Sequence, residues 1–326
     1  MNLHKKISLF LFLPFVAFTA HNETISEEVA LPWFTGPLIA TSATVIPAGH
    51  FNIEPYFFAT NDFGSYSNSW KGVNTTDFVT LSYQLPIWVG LTSWADLFIQ
   101  PTENWNKTKD QSRWAMGDFI AGLEFQLYQS VYKHKSWLPS IKIAIMETFP
   151  TGKYKNSSPN KSLTDLGGKG SYATEIRFLF GRLENIYENH FFRWRVNLNY
   201  TFSTNVDVKG IHAYGGGIGT KGTANPGQNF EVDLGLEYNL TRNWALALDL
   251  IGTWQDKTRF KGFPGVSSNG QIASNTAQSS IQYSIAPAIE YNFSANLGII
   301  GGVWLTVAGK NSPQFYSGVI ALNYFK

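Results

Sequence analysis

Residues 192–202 read Phe-Arg-Trp-Arg-Val-Asn-Leu-Asn-Tyr-Thr-Phe, an unbroken alternation of large apolar and polar side chains. Successive side chains of an extended strand point to opposite faces. Trp194, Val196, Leu198, Tyr200 and Phe202 therefore share one face, and Arg193, Arg195, Asn197, Asn199 and Thr201 share the other. An apolar face ending in aromatics, backed by a face with two arginines, suits a wall between lipid and water better than a soluble core. Residues 229–240 repeat the pattern, with Phe230, Val232, Leu234, Leu236 and Tyr238 alternating with Glu231, Asp233, Gly235, Glu237 and Asn239.

The same period-two reading predicts twelve strands, at about residues 49–60, 77–89, 91–101, 115–128, 138–149, 171–181, 192–202, 229–240, 244–255, 280–293, 296–308 and 314–326. An even count fits an antiparallel barrel whose two ends lie on one side. The links alternate in length. Residues 90, 241–243 and 294–295 make short turns, while 61–76, 102–114, 150–170, 203–228 and 256–279 are long and polar. That segregation characterises outer-membrane barrels, with tight turns at one end and long loops at the other. The links 129–137 and 182–190 read as longer than tight turns, and the last outer link reads as short.

Aromatics gather at the strand ends. Trp194, Tyr238, Trp244 and Tyr291 lie toward the short turns, and Tyr172, Phe202, Phe230, Trp254 and Tyr283 toward the long loops, as in two interfacial girdles. A Lys or Arg facing lipid at mid-membrane costs ~2–4 kcal/mol. The outward phase of the seventh, eighth and tenth strands carries no charge; Glu147 shares the phase of Ile145 but lies near a strand end.

Composition narrows the class further. Of 326 residues, 16% are aromatic and only 15% charged, against about 25% charged in typical soluble domains. Beyond the N-terminus no run approaches the ~20 apolar residues of a spanning helix. Residues 1–20 read as an export signal: His4, Lys5 and Lys6 precede an apolar stretch, 7–18, interrupted by Pro14. Cleavage there removes two of the 25 basic residues and none of the 23 acidic ones, leaving a formally neutral chain with nothing to attract nucleic acid. There is no cysteine, hence no disulfide framework, lipid-anchored cysteine or thiolate metal site. The expected organisation is a signal peptide (1–20), an N-terminal segment that is periplasmic or docked in the lumen (21–47), and an outer-membrane β-barrel (48–326). Leu31-Pro32-Trp33-Phe34 is the part of the middle segment apolar enough to dock.

Two stretches carry a resemblance. Glu147-Thr148-Phe149-Pro150-Thr151-Gly152-Lys153-Tyr154, and Gly36-Pro37 through Val45-Ile46-Pro47-Ala48-Gly49-His50-Phe51-Asn52-Ile53-Glu54, resemble the outer-membrane proteins named for the meta-cleavage pathway of phenol degradation. The resemblance implies a transporter-like barrel and no defined substrate. Read physically, Pro150 ends a strand ladder and Gly152 permits a turn. The last strand alternates through Tyr316, Gly318, Ile320, Leu322 and Tyr324, but Lys326 follows Phe325 where such strands end on an aromatic.

Little in the chain reads as catalytic. The six histidines, His4, His21, His50, His134, His190 and His212, lie in no nucleophile motif, and no HExxH or phosphate-binding loop occurs. Tyr214-Gly215-Gly216-Gly217-Ile218-Gly219 precedes no helix and reads as a flexible loop. No enzyme, cofactor or metal is expected. The inward charges Glu175, Arg177, Arg193, Arg195, Glu231, Asp233 and Glu237 are the candidate lumen lining. Pairing of the sixth strand with the seventh is expected to bring Arg177 near Arg195 and Glu175 near Asn197, with Glu237 between the arginines. Such a ladder either neutralises itself and holds the wall's shape or forms a constriction that sorts solutes. Twelve strands lie between the eight that side chains fill and the sixteen of an open porin, so a narrow lumen is expected.

The sequence thus points to an all-β transmembrane barrel in a bacterial outer membrane, a channel or facilitator for passive diffusion of small solutes, hydrophobic or aromatic ones included. The alternatives are a non-transporting adhesin or structural barrel acting through its long loops and, further off, an embedded lipid hydrolase. Its partners would be the bilayer, a small solute and the outer-membrane assembly machinery, and not nucleic acid.

Overall fold

A computed structural model describes residues 31–131 and 137–326. The expected export signal and residues 132–136 of one link lie outside them. The strands, in chain order, are β1 (Phe51–Ile53), β2 (Tyr56–Tyr66), β3 (Gly72–Gln84), β4 (Ile87–Gly90), β5 (Ala95–Gln100), β6 (Thr102–Lys107), β7 (Ser112–Met116), β8 (Phe119–Tyr128), β9 (Ser140–Phe149) and β10 (Ala173–Tyr187). They continue as β11 (His190–Ser203), β12 (Val206–Lys209), β13 (Lys221–Asn225), β14 (Gln228–Asn239), β15 (Trp244–Gln255), β16 (Arg259–Phe263), β17 (Ser280–Ser294), β18 (Leu297–Lys310) and β19 (Pro313–Phe325).

Sixteen of these form one antiparallel sheet that closes on itself, because β19 pairs with both β1 and β2. In lipid no water can satisfy an exposed sheet edge, and closure removes it. The barrel has twelve passes, since β1 with β2, β3 with β4, β5 with β6, and β7 with β8 are each one pass cut in two. The cuts fall at Pro55, Pro86, Pro101 and Gly117-Asp118. Proline has no N–H to give the ladder, which accounts for three of the cuts; two of them, at Pro55 and Pro86, divide stretches expected to be single strands. The halves form two tiers: β1, β4, β5 and β8 pair together toward the short turns, and β2, β3, β6 and β7 toward the long loops.

In the upper tier β7 pairs with β6, and its other edge meets the segment after β9 rather than a strand. Here Pro150-Thr151-Gly152 acts as a stitch. Thr151 Oγ1 donates to the Gly117 carbonyl at 3.1 Å and accepts the Phe119 N–H at 3.0 Å. Asp118 takes the N–H groups of Gly152 and Lys169 at 2.9 and 2.7 Å. Gly152 lies at a bend of the chain, as its sequence position suggests. It is needed for close approach, because a Cβ there would meet the Gly168 Cα and the Met116 carbonyl oxygen at 2.7 Å.

The two faces of the wall invert the order of a soluble protein. Asp233, Glu237, Asp249 and Glu290 are buried inside, while Leu246, Leu250, Ile289 and Ile320 stand 40–48% exposed outside. Such a surface belongs in hydrocarbon. Tyr172, Phe202 and Tyr283 are exposed near the long-loop ends of their strands and Trp244 at a short-turn end. Glu147, on the outward phase, accepts the Thr174 hydroxyl at 2.6 Å.

Three expectations are corrected. The link 182–190 is not long: β10 runs to Tyr187 and β11 begins at His190, with Glu188 at φ 41° in the turn. The polar stretches 61–76 and 102–114 are largely strand, since β2, β3, β6 and β7 extend through them. The loops 203–228 and 256–279 contain a second sheet, β12-β13-β16. Beyond the apolar band both faces of a hairpin can be polar, as in Thr102-Glu103-Asn104-Trp105-Asn106-Lys107, so alternation disappears while the ladder continues.

The small sheet packs Val206, Val208 and Ala224 against Tyr154, Tyr214 and Phe260. Beside it His212 is fully buried, with Nε2 bonded to Asn275 Oδ1 at 2.9 Å and Nδ1 accepting the Tyr214 N–H at 3.2 Å. Burial holds its imidazole pKa below the ordinary value against the opposing pull of Asn275.

Candidate functional site

The lumen is built from inward-facing residues of the strands and from residues 31–50, which run across its short-turn half. The segment's main chain has almost no ladder of its own, and the wall supplies its partners. Glu290 on β17 accepts the Thr35 N–H at 2.7 Å, and Asn292 donates to the Trp33 carbonyl at 3.1 Å. Asp249 on β15 accepts the N–H groups of Ile39 and Ala40 at 3.2 and 3.0 Å. Gln126 on β8 donates to the Ala43 carbonyl and accepts the Val45 N–H, both at 2.9 Å, and Asp96 on β5 accepts the Ile46 N–H at 2.7 Å.

Side chains hold the start of the segment. The Arg242 guanidinium lies 4.4 Å from the Trp33 ring centroid and that of Arg193 4.5 Å from Phe34. Three inward glycines let the backbone in. A Cβ on Gly235 would meet Ala40 Cβ at 2.5 Å and Pro37 Cγ at 2.7 Å, one on Gly90 would strike the Pro47 carbonyl, and one on Gly298 the Thr35 hydroxyl. Glycine inside a strand commonly marks such an approach.

The seven candidate lining residues are distributed as follows. Glu237 on β14 is fully buried and faces both arginines of β11, at 3.2 Å from Arg195 and 3.9 Å from Arg193. Arg195 also donates to the Ala40 carbonyl at 2.9 Å, so one guanidinium ties the wall to the segment. The expected register of the sixth and seventh passes is corrected by four residues. Arg177 lies opposite Asn199 and Glu175 opposite Thr201, because the short turn at 188–189 sets the hairpin. Arg177 is paired instead with Glu175 along its own strand, at 2.6 Å. Glu231 accepts Asn199 Nδ2 and the Thr253 hydroxyl at 3.3 Å each. Asp233 lies opposite Asn197 and receives no hydrogen bond among the described residues.

Several lumen groups were not singled out from the sequence. Lys142 and Glu124 form an ion pair whose side chains are 2% and 1% exposed. Asp96, Asp249 and Glu290 on the wall, and Glu54 after β1, belong with them. Each wall residue occupies the inward phase of its strand, and the signal that could have found them is a charge within an otherwise apolar alternation, as Asp249 stands between Leu248 and Leu250.

A cavity of about 640 Å³ remains beside the segment. Its lining is mixed: Arg177, Glu231 and Asp233 contribute charge, and Phe58, Trp88 and Phe98 contribute aromatic surface. This arrangement can pass or hold a small molecule, and the described residues contain no cluster of three or more metal-ligating side chains.

No protein-family model matches the sequence, and no curated protein matches it. Among solved structures, an outer membrane channel from Pseudomonas putida F1 is similar, at 12% identity and TM-score 0.65, over 87% of this chain and 98% of that one. The translocator domain of the autotransporter NalP from Neisseria meningitidis aligns over 85% of this chain and 88% of its own, at 9% identity and TM-score 0.45. The Pseudomonas putida toluene transporter TodX aligns over 90% and 96%, at 13% identity and TM-score 0.38. At these identities the first establishes the fold, that of an outer-membrane barrel. The other two are too loosely superposed to carry argument.

Proposed function

We propose that the protein is a channel of a bacterial outer membrane through which small solutes diffuse passively. The observation that carries this reading is the inverted wall: charged and amide side chains around a cavity of about 640 Å³ inside, exposed Leu, Ile and aromatic side chains outside. The segment 31–50 narrows the path at the short-turn half, and the β12-β13-β16 sheet lies among the long loops, packed on Tyr154 and Tyr214. The seven residues Glu175, Arg177, Arg193, Arg195, Glu231, Asp233 and Glu237 set the charge along the path. Phe58, Trp88 and Phe98 offer an apolar surface to hydrophobic or aromatic solutes. The two motifs that resemble the meta-cleavage-named proteins support membership of that transporter-like family. Export would use residues 1–20, and insertion the outer-membrane assembly machinery.

Purified protein reconstituted into a planar bilayer is expected to give discrete conductance steps. A silent bilayer containing correctly folded barrel would defeat the reading. A second reading, a barrel whose outer loops act as an adhesin, is favoured by the ordered core of the small sheet around Val206, Val208 and Ala224. It requires binding to persist in a barrel that does not conduct.

A further inference from the structure

We propose that the lumen holds a cation site at Asp233 and that the path past it favours small cations over anions. The proposal rests on the channel reading and adds to it the charge class of the solute.

The four cationic side chains that line the cavity are already engaged. Lys142 is paired with Glu124, Arg177 with Glu175, and Arg193 and Arg195 share Glu237. Among the described residues, Glu54, Asp96, Glu231, Asp233, Asp249 and Glu290 form no ion pair. Five of these six have hydrogen-bond donors. Asp96, Asp249 and Glu290 accept main-chain N–H groups of residues 35–46. Glu54 accepts the amides of Asn52 and Asn323 at 2.7 and 2.5 Å, and Glu231 is bonded by Asn199 and Thr253.

Asp233 differs. It is 1% exposed, lines the cavity, and neither of its carboxylate oxygens has a donor. Directly across on β11, Asn197 is 2% exposed and its Oδ1 also lacks a donor, because its amide nitrogen is spent on Thr41 Oγ1 at 3.1 Å. A carboxylate and an amide oxygen are thus paired across the two strands with no hydrogen-bond donor on either, and Arg195, two positions along β11, is spent on Glu237 and the Ala40 carbonyl. An uncompensated buried carboxylate is strongly destabilising; a proton shared with Asn197 or a bound cation removes the penalty, and we place a cation there because the site lies on the channel's own path. Small hard cations are ligated by oxygen, which is what these two residues offer. Along a narrow path, one such charge concentrates counter-ions and repels co-ions.

The test is the reversal potential of the reconstituted full chain across a KCl gradient. K⁺ is expected to permeate several-fold faster than Cl⁻, with the ratio falling toward unity in Asp233→Asn. Should that variant fail to fold, Glu231→Gln, the neighbouring inward position on β14, is expected to lower the ratio to a lesser degree. Preference for Cl⁻, no preference, or an unchanged ratio in the variants that fold overturns the proposal while leaving a conducting channel. If no conductance is seen at all, the channel reading fails, and crystals soaked in thallium decide the site by itself. An anomalous peak between Asp233 and Asn197 upholds cation binding, and a bare site overturns it.

Discussion

Asp249 grips the main chain at Ala40: its carboxylate, on the lumen face of β15, accepts the Ala40 N–H at 3.0 Å and that of Ile39 at 3.2 Å. The wall thus recognises backbone, which every residue carries, rather than particular side chains. Hydrogen bonds to a charged acceptor contribute about 1.5–3 kcal/mol each. Asp249→Ala is expected to loosen residues 31–50 while the barrel stays closed, measured as faster proteolysis within that segment at unchanged heat resistance of the barrel.

Gly235 tests the same contact from the opposite direction. A side chain there meets Ala40 and Pro37, so Gly235→Leu is expected to expel the segment from the lumen and raise conductance. The chain has no cysteine, so a single Thr41→Cys gives an unambiguous label. Its modification by a water-soluble maleimide should be slow in the parent and fast with Gly235→Leu.

Lys142 and Glu124 make a pair with almost no exposure to water. Removing one partner of such a pair leaves a buried charge and costs about 3–5 kcal/mol. Lys142→Met is expected to lower the unfolding free energy, read from urea titration in vesicles, by that amount, and the double variant Lys142→Met, Glu124→Leu to recover most of it.

Leu250 is 40% exposed near the middle of β15 on the outward face. Arginine at such a position costs ~2–4 kcal/mol in a bilayer. Leu250→Arg should reduce folding efficiency into vesicles, whereas an arginine at Thr253, on the inward phase near the long-loop end, should be tolerated. Equal effects at both sites would contradict the assignment of faces.

Asp165 ties the outer segment 153–165 together. Burial acts to raise its pKa, but hydrogen bonds from Lys153, Ser157 and Lys161 outweigh this and bring it down to about 2. Because the folded-state value lies below the ordinary 3.8, the stabilisation is complete above about pH 4 and is lost as pH falls toward 2. Trypsin cleavage after Lys153 or Lys161 cannot be read at that pH, so pepsin cleavage of the loop is the measure. Relative to cleavage of an unstructured peptide at the same pH, it should rise between pH 4 and 2, and Asp165→Asn should abolish that rise.

Sequence alone determined the wall. Alternation such as Trp194-Arg195-Val196-Asn197 assigns each side chain to lipid or lumen, because this is a property of neighbouring residues in an extended chain; the breaks at Pro55 and Pro86, inside stretches that read as single strands, came from the structure. What lies inside was decided by the tertiary structure. The four-residue register between β10 and β11 depends on where one turn is tied, and no residue in either strand reports it. Glu290, Asp249 and Asp96 bond the segment 31–50 across separations of 255, 210 and 50 residues, through N–H groups that carry no sequence signal. The small outer sheet escaped because its strands are only four or five residues long, and alternation as brief as Val206-Asp207-Val208-Lys209 does not stand out within a loop. Local chemistry chose the faces of the barrel, and only closure of the sheet chose which of those faces meet.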